Sequence, residues 1–419
     1  MVRFRRGYLE ASDGAGRLVL ALSTELLKSG ADVERIVADR RLAIDERARL
    51  SILADLIAVK WDVQFQPDRV LLQPPAAYTK EVIRQSMSAK RQEVIAANRP
   101  WIDAHLDLAR ANLASATEAL ESPLEPVLEV VESEQERALF RMYRYSWSSP
   151  ATEYVGRRIR LLVRDAALPQ RPVIGIAALG SSIIHVPDRD AYIGWSTRER
   201  TDNIVRTMDA YVVGAVPPYN MLLGGKLIAM ILSSNEVREI YRCKYEAAVT
   251  GIRRRRESIL AALFTTSLYG ASSQYNRIRY RDEPLWQTIG FTKGYGSLHL
   301  SERTFSILCD LLRAQGQLPS HRFGDGPNWR VRVIREAARM LGVDSDFLLR
   351  HSFSRGIRFT PMASNWPELL HGRSSQADYV DRPLSSLTAS WRTRWLEMRK
   401  GNREVVAAVR CWDPRRFVI

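Results

Sequence analysis

The sequence predicts a multidomain α/β (α+β) protein: a helical N-terminal module with a β-hairpin, a mixed-sheet central core and a helical C-terminal region. Three observations predict it. Apolar residues recur at helical spacing before residue 60 and after residue 79, with a short alternating segment between. From Phe140 the texture changes to short apolar runs punctuated by Gly and Pro and alternating with amphipathic stretches. The charge is also divided, since residues 1–140 sum to −3 and residues 141–419 to +18.

The first module spans residues 1–122. Leu18, Leu20, Leu22 and Leu26–Leu27, then Ile52, Leu53, Leu56 and Ile57, predict helices over residues 17–60. Trp61 to Phe65, a Gln66-Pro-Asp68 turn and Arg69 to Gln73 alternate as a hairpin, ended by Pro74-Pro75. Helices followed by a hairpin suit a winged-helix-like unit or a helical docking module with a capping hairpin. Helical pattern returns over residues 79–121. Residues 123–139, with Pro123, Pro126 and a run of acidic side chains, have the composition of a linker.

The core is placed at residues 140–320. Strands are expected at Pro172–Ala178, Ala191–Trp195, Tyr211–Val216 and Ile259–Ser267. Helices are expected at Thr201–Tyr211 and Leu223–Leu232, continuing through Val237–Tyr245. Residues 321–419 read as helical and basic, ending in Trp391-Arg-Thr-Arg-Trp395.

Composition excludes several classes. The 419 residues are 46% hydrophobic and 26% charged, ordinary values for a globular chain and not for a disordered one. Cys243, Cys309 and Cys411 are far apart with no CxxC, so neither a disulfide framework nor a cysteine zinc site is expected. The six histidines have no zinc spacing. No signal-peptide h-region follows Arg3, Arg5 and Arg6, and the apolar stretch Val212–Leu232 is interrupted by Pro217, Pro218, Gly224, Gly225 and Lys226. A soluble, cytoplasmic protein without a membrane partner is expected. The net charge of +15 points to a polyanionic partner, above all nucleic acid, with ordinary solubility charge as the alternative.

Four segments carry candidate chemistry. In Val216-Pro-Pro-Tyr-Asn-Met-Leu-Leu-Gly-Gly-Lys-Leu227, a strand runs into a turn and Gly224-Gly225 open a helix followed by Lys226. Backbone N–H groups at such a start can cradle phosphate, with Lys226 adding charge. A Walker A loop is excluded, because Leu227 lacks a hydroxyl and Asn220 is not Gly. The turn resembles the pyrophosphate turn of the GNAT acetyltransferases; close helix–strand packing is the alternative. In Thr265 to Arg277, a strand end carries Ser267, Tyr269, Ser272, Ser273, Tyr275, Asn276 and Arg277, which suit phosphate holding and base stacking, or simply a turn. In Ile289 to His299, Lys293 and His299 are candidates for charge stabilisation or acid–base catalysis, alongside the Tyr275 hydroxyl. Arg157, Arg158 and the run Arg253, Arg254, Arg255 and Arg256 are candidate nucleic-acid contacts or solvated faces. Asp188 and Asp190 lack the downstream acid-x-Lys of a restriction-type nuclease, so no metal site is expected and no cofactor is specified.

Taken in order, Tyr145-Ser-Trp147 with Tyr154-Val-Gly-Arg-Arg158, the Val216–Lys226 segment, Thr265-Thr-Ser with Ser272-Ser-Gln-Tyr-Asn-Arg277, and Gly290–Gly296 resemble the DruA family of the Druantia antiphage defence systems. The resemblance covers about residues 140–320. One departure is Ala271, where that pattern has Arg. The resemblance implies defence against mobile DNA and supplies no reaction. Three functions follow: a nucleic-acid-associated defence component beside a helicase-type partner; a GNAT-like enzyme holding an acyl-CoA or nucleotide phosphate at the Gly-Gly-Lys turn; or an assembly scaffold with a degenerate site. The Thr265–Arg277 and Gly224–Lys226 segments are expected to converge on one pocket.

Overall fold

A computed structural model describes residues 2–5, 8–11, 28, 32–38, 42–65, 69–75, 78–150, 156–249, 254–297, 299–320, 329–351 and 353–419. The leucines at 18–27, the Gln66–Asp68 turn, Tyr154 and Arg253 fall outside these residues. The chain divides into two units that are discontinuous in sequence. One comprises residues 1–97, 148–150 and 293–354, the other residues 98–147, 151–292 and 355–419.

The first unit contains a four-stranded antiparallel sheet of β1 (Val2–Arg5), β2 (Tyr8–Ala11), β3 (Asp62–Phe65) and β4 (Arg69–Gln73), in the order β1-β2-β4-β3. The expected hairpin is present as β3–β4 and is half of this sheet. Helix Ile44–Ala58 is buried continuously from Ala48 to Leu56, with Leu50, Ile52 and Leu53 at 0% exposure. It therefore needs partners around its circumference, and one is helix Glu302–Ala314, more than 240 residues later. Polar bonds fix their register: Ser51 Oγ lies 2.7 Å from Thr304 Oγ1, and Asp55 accepts from Ser301 N at 2.8 Å.

The second unit is built on a larger sheet. Its strands are β5 (Pro126–Val130), β6 (Arg158–Asp165), β7 (Val173–Ser181), β8 (Thr207–Ala215) and β9 (Ala262–Thr266). After a small ladder of β10 (Arg279–Tyr280) and β11 (Glu283–Pro284) come β12 (Gln287–Phe291) and β13 (Gly356–Pro361). The seven-stranded order is β12-β13-β9-β8-β7-β6-β5. Every neighbouring pair is antiparallel except β8 and β9, which run parallel and pair only from Thr207–Asp209 to Ala262–Phe264. On β7 every residue but Ser181 is buried, as a strand covered on both faces requires. Helix Gly224–Ile231 packs on β7 and β8, and helix Leu384–Trp391 packs on that helix.

Several sequence expectations are corrected here. Residues 123–139 are not a linker: they hold the edge strand β5 and the start of helix Glu134–Tyr145. Some of their acidic character is capping chemistry, since Ser133 accepts from Glu136 N at 3.2 Å while Glu136 accepts from Ser133 N at 2.8 Å. Ala191–Trp195 is not a strand. Pro187 opens a short helix, Pro187–Ile193, and Gly194 closes it at φ 80°. The helix expected over Thr201–Tyr211 is Thr197–Asn203, a 3-10 turn follows, and Thr207 already belongs to β8. Residues 321–419 are not all helical, because β13 lies between β9 and β12 with Ile357 and Phe359 buried. Among the described residues, no helix is long and apolar enough to cross a membrane.

Candidate functional site

The Val216–Lys226 segment is the junction between β8 and its helix. Gly224 is needed for space: a Cβ there would lie 2.7 Å from Tyr219 O and 2.8 Å from Ala215 Cβ. Leu223, at φ 61°, turns the chain into the helix without a side-chain cap. The N–H groups expected to be open for a phosphate are in part used. Gly224 N donates to Tyr219 O at 2.8 Å, and Lys226 N donates to Leu223 O at 2.9 Å.

Lys226 is 8% exposed, and its ammonium turns inward to the second polar segment. Nζ donates to the carbonyls of Ser273 and of Asn276, the latter at 2.8 Å, and sits 5.3 Å from the Trp395 ring centroid. Burial, then the like charges of Arg277 and Arg394, push it down to about 8. The lysine thus anchors the 273–276 turn, and the exposed groups around it are Ser273, Asn276, Arg277 and Arg394. Arg394 lies 5.1 Å over the Trp395 ring, within a π-helical turn at Arg392–Leu396. Such turns often occur at functional sites.

The two segments therefore meet, but through a packed joint. Between the diverging ends of β8 and β9, Thr265 Oγ1 donates to Ala210 O at 2.7 Å and Gln274 Nε2 donates to Val213 O at 2.8 Å. Gln274 also faces Gly225, where a Cβ would lie 3.6 Å from its Oε1. Ser267 is buried and donates to the carbonyls of Tyr269 and Gly356. Ser272 O accepts from Tyr275 N at 3.3 Å and from Asn276 N at 3.1 Å, the hydrogen bonds of a turn. Tyr275 is a core ring, 6% exposed and edge-on to Trp286 at 5.5 Å, with its hydroxyl pushed up to about 12 by burial. It offers no open face for a base to stack on.

The other expected residues are elsewhere. Lys293 and His299 belong to the first unit and Tyr275 to the second. Lys293 is exposed. His299 is buried, its Nε2 donates to Leu348 O at 2.9 Å, and burial, then His351, push it down to about 3. A histidine so held is neutral and shielded, so it has no route to a substrate proton. Arg157 is tied inward, donating to the Tyr241 hydroxyl and to Val205 O, whereas Arg158 is exposed. Arg254 and Arg256 are exposed, while Arg255 donates to Asp202 O at 2.6 Å and pairs with Glu257 at 3.4 Å. Asp190 is a structural acid, bonded by Arg189, Arg200 and His185, and the described residues hold no metal-ligating cluster. All three thiols are free. The residues missed as site members are Arg394, Trp395 and Gln274. Their signals were the Trp391–Trp395 run and one amide within a polar turn.

The fold and site define a mixed α/β protein with a basic, aromatic-backed surface at the open end of its only parallel strand pair among the described residues. The model of the family described as Druantia protein DruA matches residues 77–372. A Druantia protein DruA from Escherichia coli (strain UMEA 4076-1) is 36% identical over 315 residues, covering 74% of this chain and 77% of its own length. No solved structure matches. The chain belongs to the DruA family of Druantia proteins, which places it in antiphage defence.

Proposed function

We propose that the protein is the nucleic-acid-binding component of a Druantia defence system, gripping phosphates with Arg277 and Arg394 at the surface that Lys226 organises. One observation carries the reading: Lys226 and Arg394 both lie over the Trp395 ring, and the charges acting on the buried lysine, those of Arg277 and Arg394, are both positive. Like charges gathered at one surface favour an anion there, and guanidinium groups match phosphate bidentately. The +18 balance of residues 141–419 supports a polyanion over a small anion. Within a multi-protein system, a strand held here would be handed to a helicase-type partner.

Binding of the full-length protein to labelled DNA and RNA, followed by anisotropy between about 50 and 200 mM salt, tests the reading. Affinity is expected to fall by orders of magnitude across that range. Arg277→Gln with Arg394→Gln should flatten the slope by about one to two phosphates. The same double variant should lose protection in phage plating on a host carrying the whole system. Salt-insensitive affinity, or a double variant that binds as wild type, sinks the proposal.

A second reading, a GNAT-like enzyme holding an acyl-CoA or nucleotide phosphate, is favoured by the sheet. Among the described residues one parallel pair separates after three residues, and β8 runs on into the Gly-Gly-Lys helix start that resembles the GNAT pyrophosphate turn. Gln274 now occupies that gap. A thermal shift produced by acyl-CoA and enlarged by Gln274→Ala supports this reading; no shift in either protein removes it.

A further inference from the structure

The turn between β8 and helix Gly224–Ile231 also borders a cleft of about 290 Å3. Its walls include Trp147, Pro217, Asn220, Trp412, Arg416 and Phe417, all from the second unit. The aromatic walls are fixed by their neighbours, Trp147 among them with Arg144 5.2 Å over its ring. Trp147 lies against Gly214, where a Cβ would come within 2.7 Å of the indole, so the glycine makes room for the ring. Trp412 Nε1 donates to Ala114 O at 2.9 Å. Phe417 packs edge-on to Tyr143 with centroids 6.0 Å apart, and its carbonyl accepts from Arg110 Nε at 3.2 Å.

Two exposed polar groups complete the cleft. The Asn220 amide presents both donor and acceptor, while its backbone N–H is fixed by Val216 O at 3.0 Å. The Arg416 guanidinium supplies charge at the rim. Half-buried indoles, an amide and an arginine together fit a planar heterocycle with hydrogen-bonding edges and a nearby phosphate. The size agrees, since drug-sized ligands need roughly 300–1,000 Å3 and this volume suits one base better than an extended cofactor.

We infer that this cleft receives a single nucleobase, stacked on the Trp147 and Trp412 indoles and read at its edge by Asn220, with its phosphate on Arg416. The inference deepens the nucleic-acid reading and rests on it. It also gives the Pro217–Asn220 part of the junction a role that Lys226 and Arg277 leave open. Bases stacked on aromatic side chains tolerate many sequences, so the cleft favours unpaired nucleic acid over duplex.

The test uses the full-length protein with 2-aminopurine, whose fluorescence is quenched by stacking, placed in a single-stranded oligonucleotide and, separately, supplied as the monophosphate. Wild type should quench the strand. Asn220→Leu and Arg416→Gln change exposed side chains, so folding should survive, and each should weaken quenching roughly tenfold. The Asn220→Leu loss should be independent of salt, and Arg416→Gln should lower the salt slope. Quenching of the monophosphate as well assigns the cleft to free nucleotides in addition to strands; quenching of the strand alone assigns it to polymers. A strand that binds without quenching, or two folded variants that quench as wild type, overturns the inference and leaves the electrostatic reading standing. Quenching of the monophosphate with no salt-dependent strand binding leaves the cleft standing and removes the reading of Arg277 and Arg394.

Discussion

Arg277 is an exposed arginine at φ 64°, in a backbone region where a side chain costs about 1–2 kcal/mol. Glycine would relieve that cost. Arg277→Gly should therefore raise the melting temperature by roughly 2–4 °C for a unit of this size, while weakening nucleic-acid binding. A variant that is more stable and binds as tightly as wild type would show the guanidinium to be idle. His299 makes a second residue-scale case. Its folded value of about 3 lies below the usual 6.5, so below pH 6.5 the unfolded chain takes up a proton that the folded chain refuses. Stability from this group is full above pH 6.5 and falls as pH drops toward 3. His299→Gln keeps a donor for Leu348 O without the titration, so its melting temperature should fall less between pH 6.5 and 4. Parallel curves for the two proteins would contradict this. The sequence placed His299 in a glycine-rich, polar segment, and its burial was not visible there because the residues covering it, such as Leu348 and His351, lie about 50 positions away.

Among the elements, the junction of β8 with helix Gly224–Ile231 was the most legible. Its glycines, its lysine and the switch from alternating to helical apolar pattern are consecutive in sequence. What Lys226 faces was not legible, because its partners at Ser273 and Asn276 come from the next polar segment. Where helix Gly224–Ile231 packs on β7, Gly175 is the test. A Cβ there would lie 2.6 Å from Gly214 O and 2.7 Å from the Ile228 side chain. Backbone cannot yield as a flexible side chain can, so Gly175→Ala should destabilise the protein by about 1–3 kcal/mol, read by denaturant unfolding. An unchanged midpoint would mean the helix shifts freely on β7. β13 shows the opposite limit of sequence reading: six residues among helical patterns became an interior strand because β9 and β12 offered two open edges.

Across the whole molecule, chain order and spatial grouping differ. The first unit joins residues 1–97 to residues 293–354, so helix Ile44–Ala58, buried from Ala48 to Leu56, is covered by a segment from the far side of the second unit's sequence. A fragment of residues 1–139 should therefore fail to fold on its own, although a boundary in that region looks natural from composition. Circular dichroism and melting decide it, and a cooperative transition in the fragment would show that the N-terminal helices make their own core. The family match to residues 77–372 takes in sequence from both units.

Composition, charge division and an ordered set of short motifs were enough for family membership and for a mixed α/β core, because these are properties of residues near one another in the chain. Strand order, the burial of Lys226, Tyr275 and His299, and the grouping of Arg277 with Arg394 were decided only by tertiary structure. Burial and electrostatic environment depend on which distant segments pack together, and local pattern carries no record of that choice.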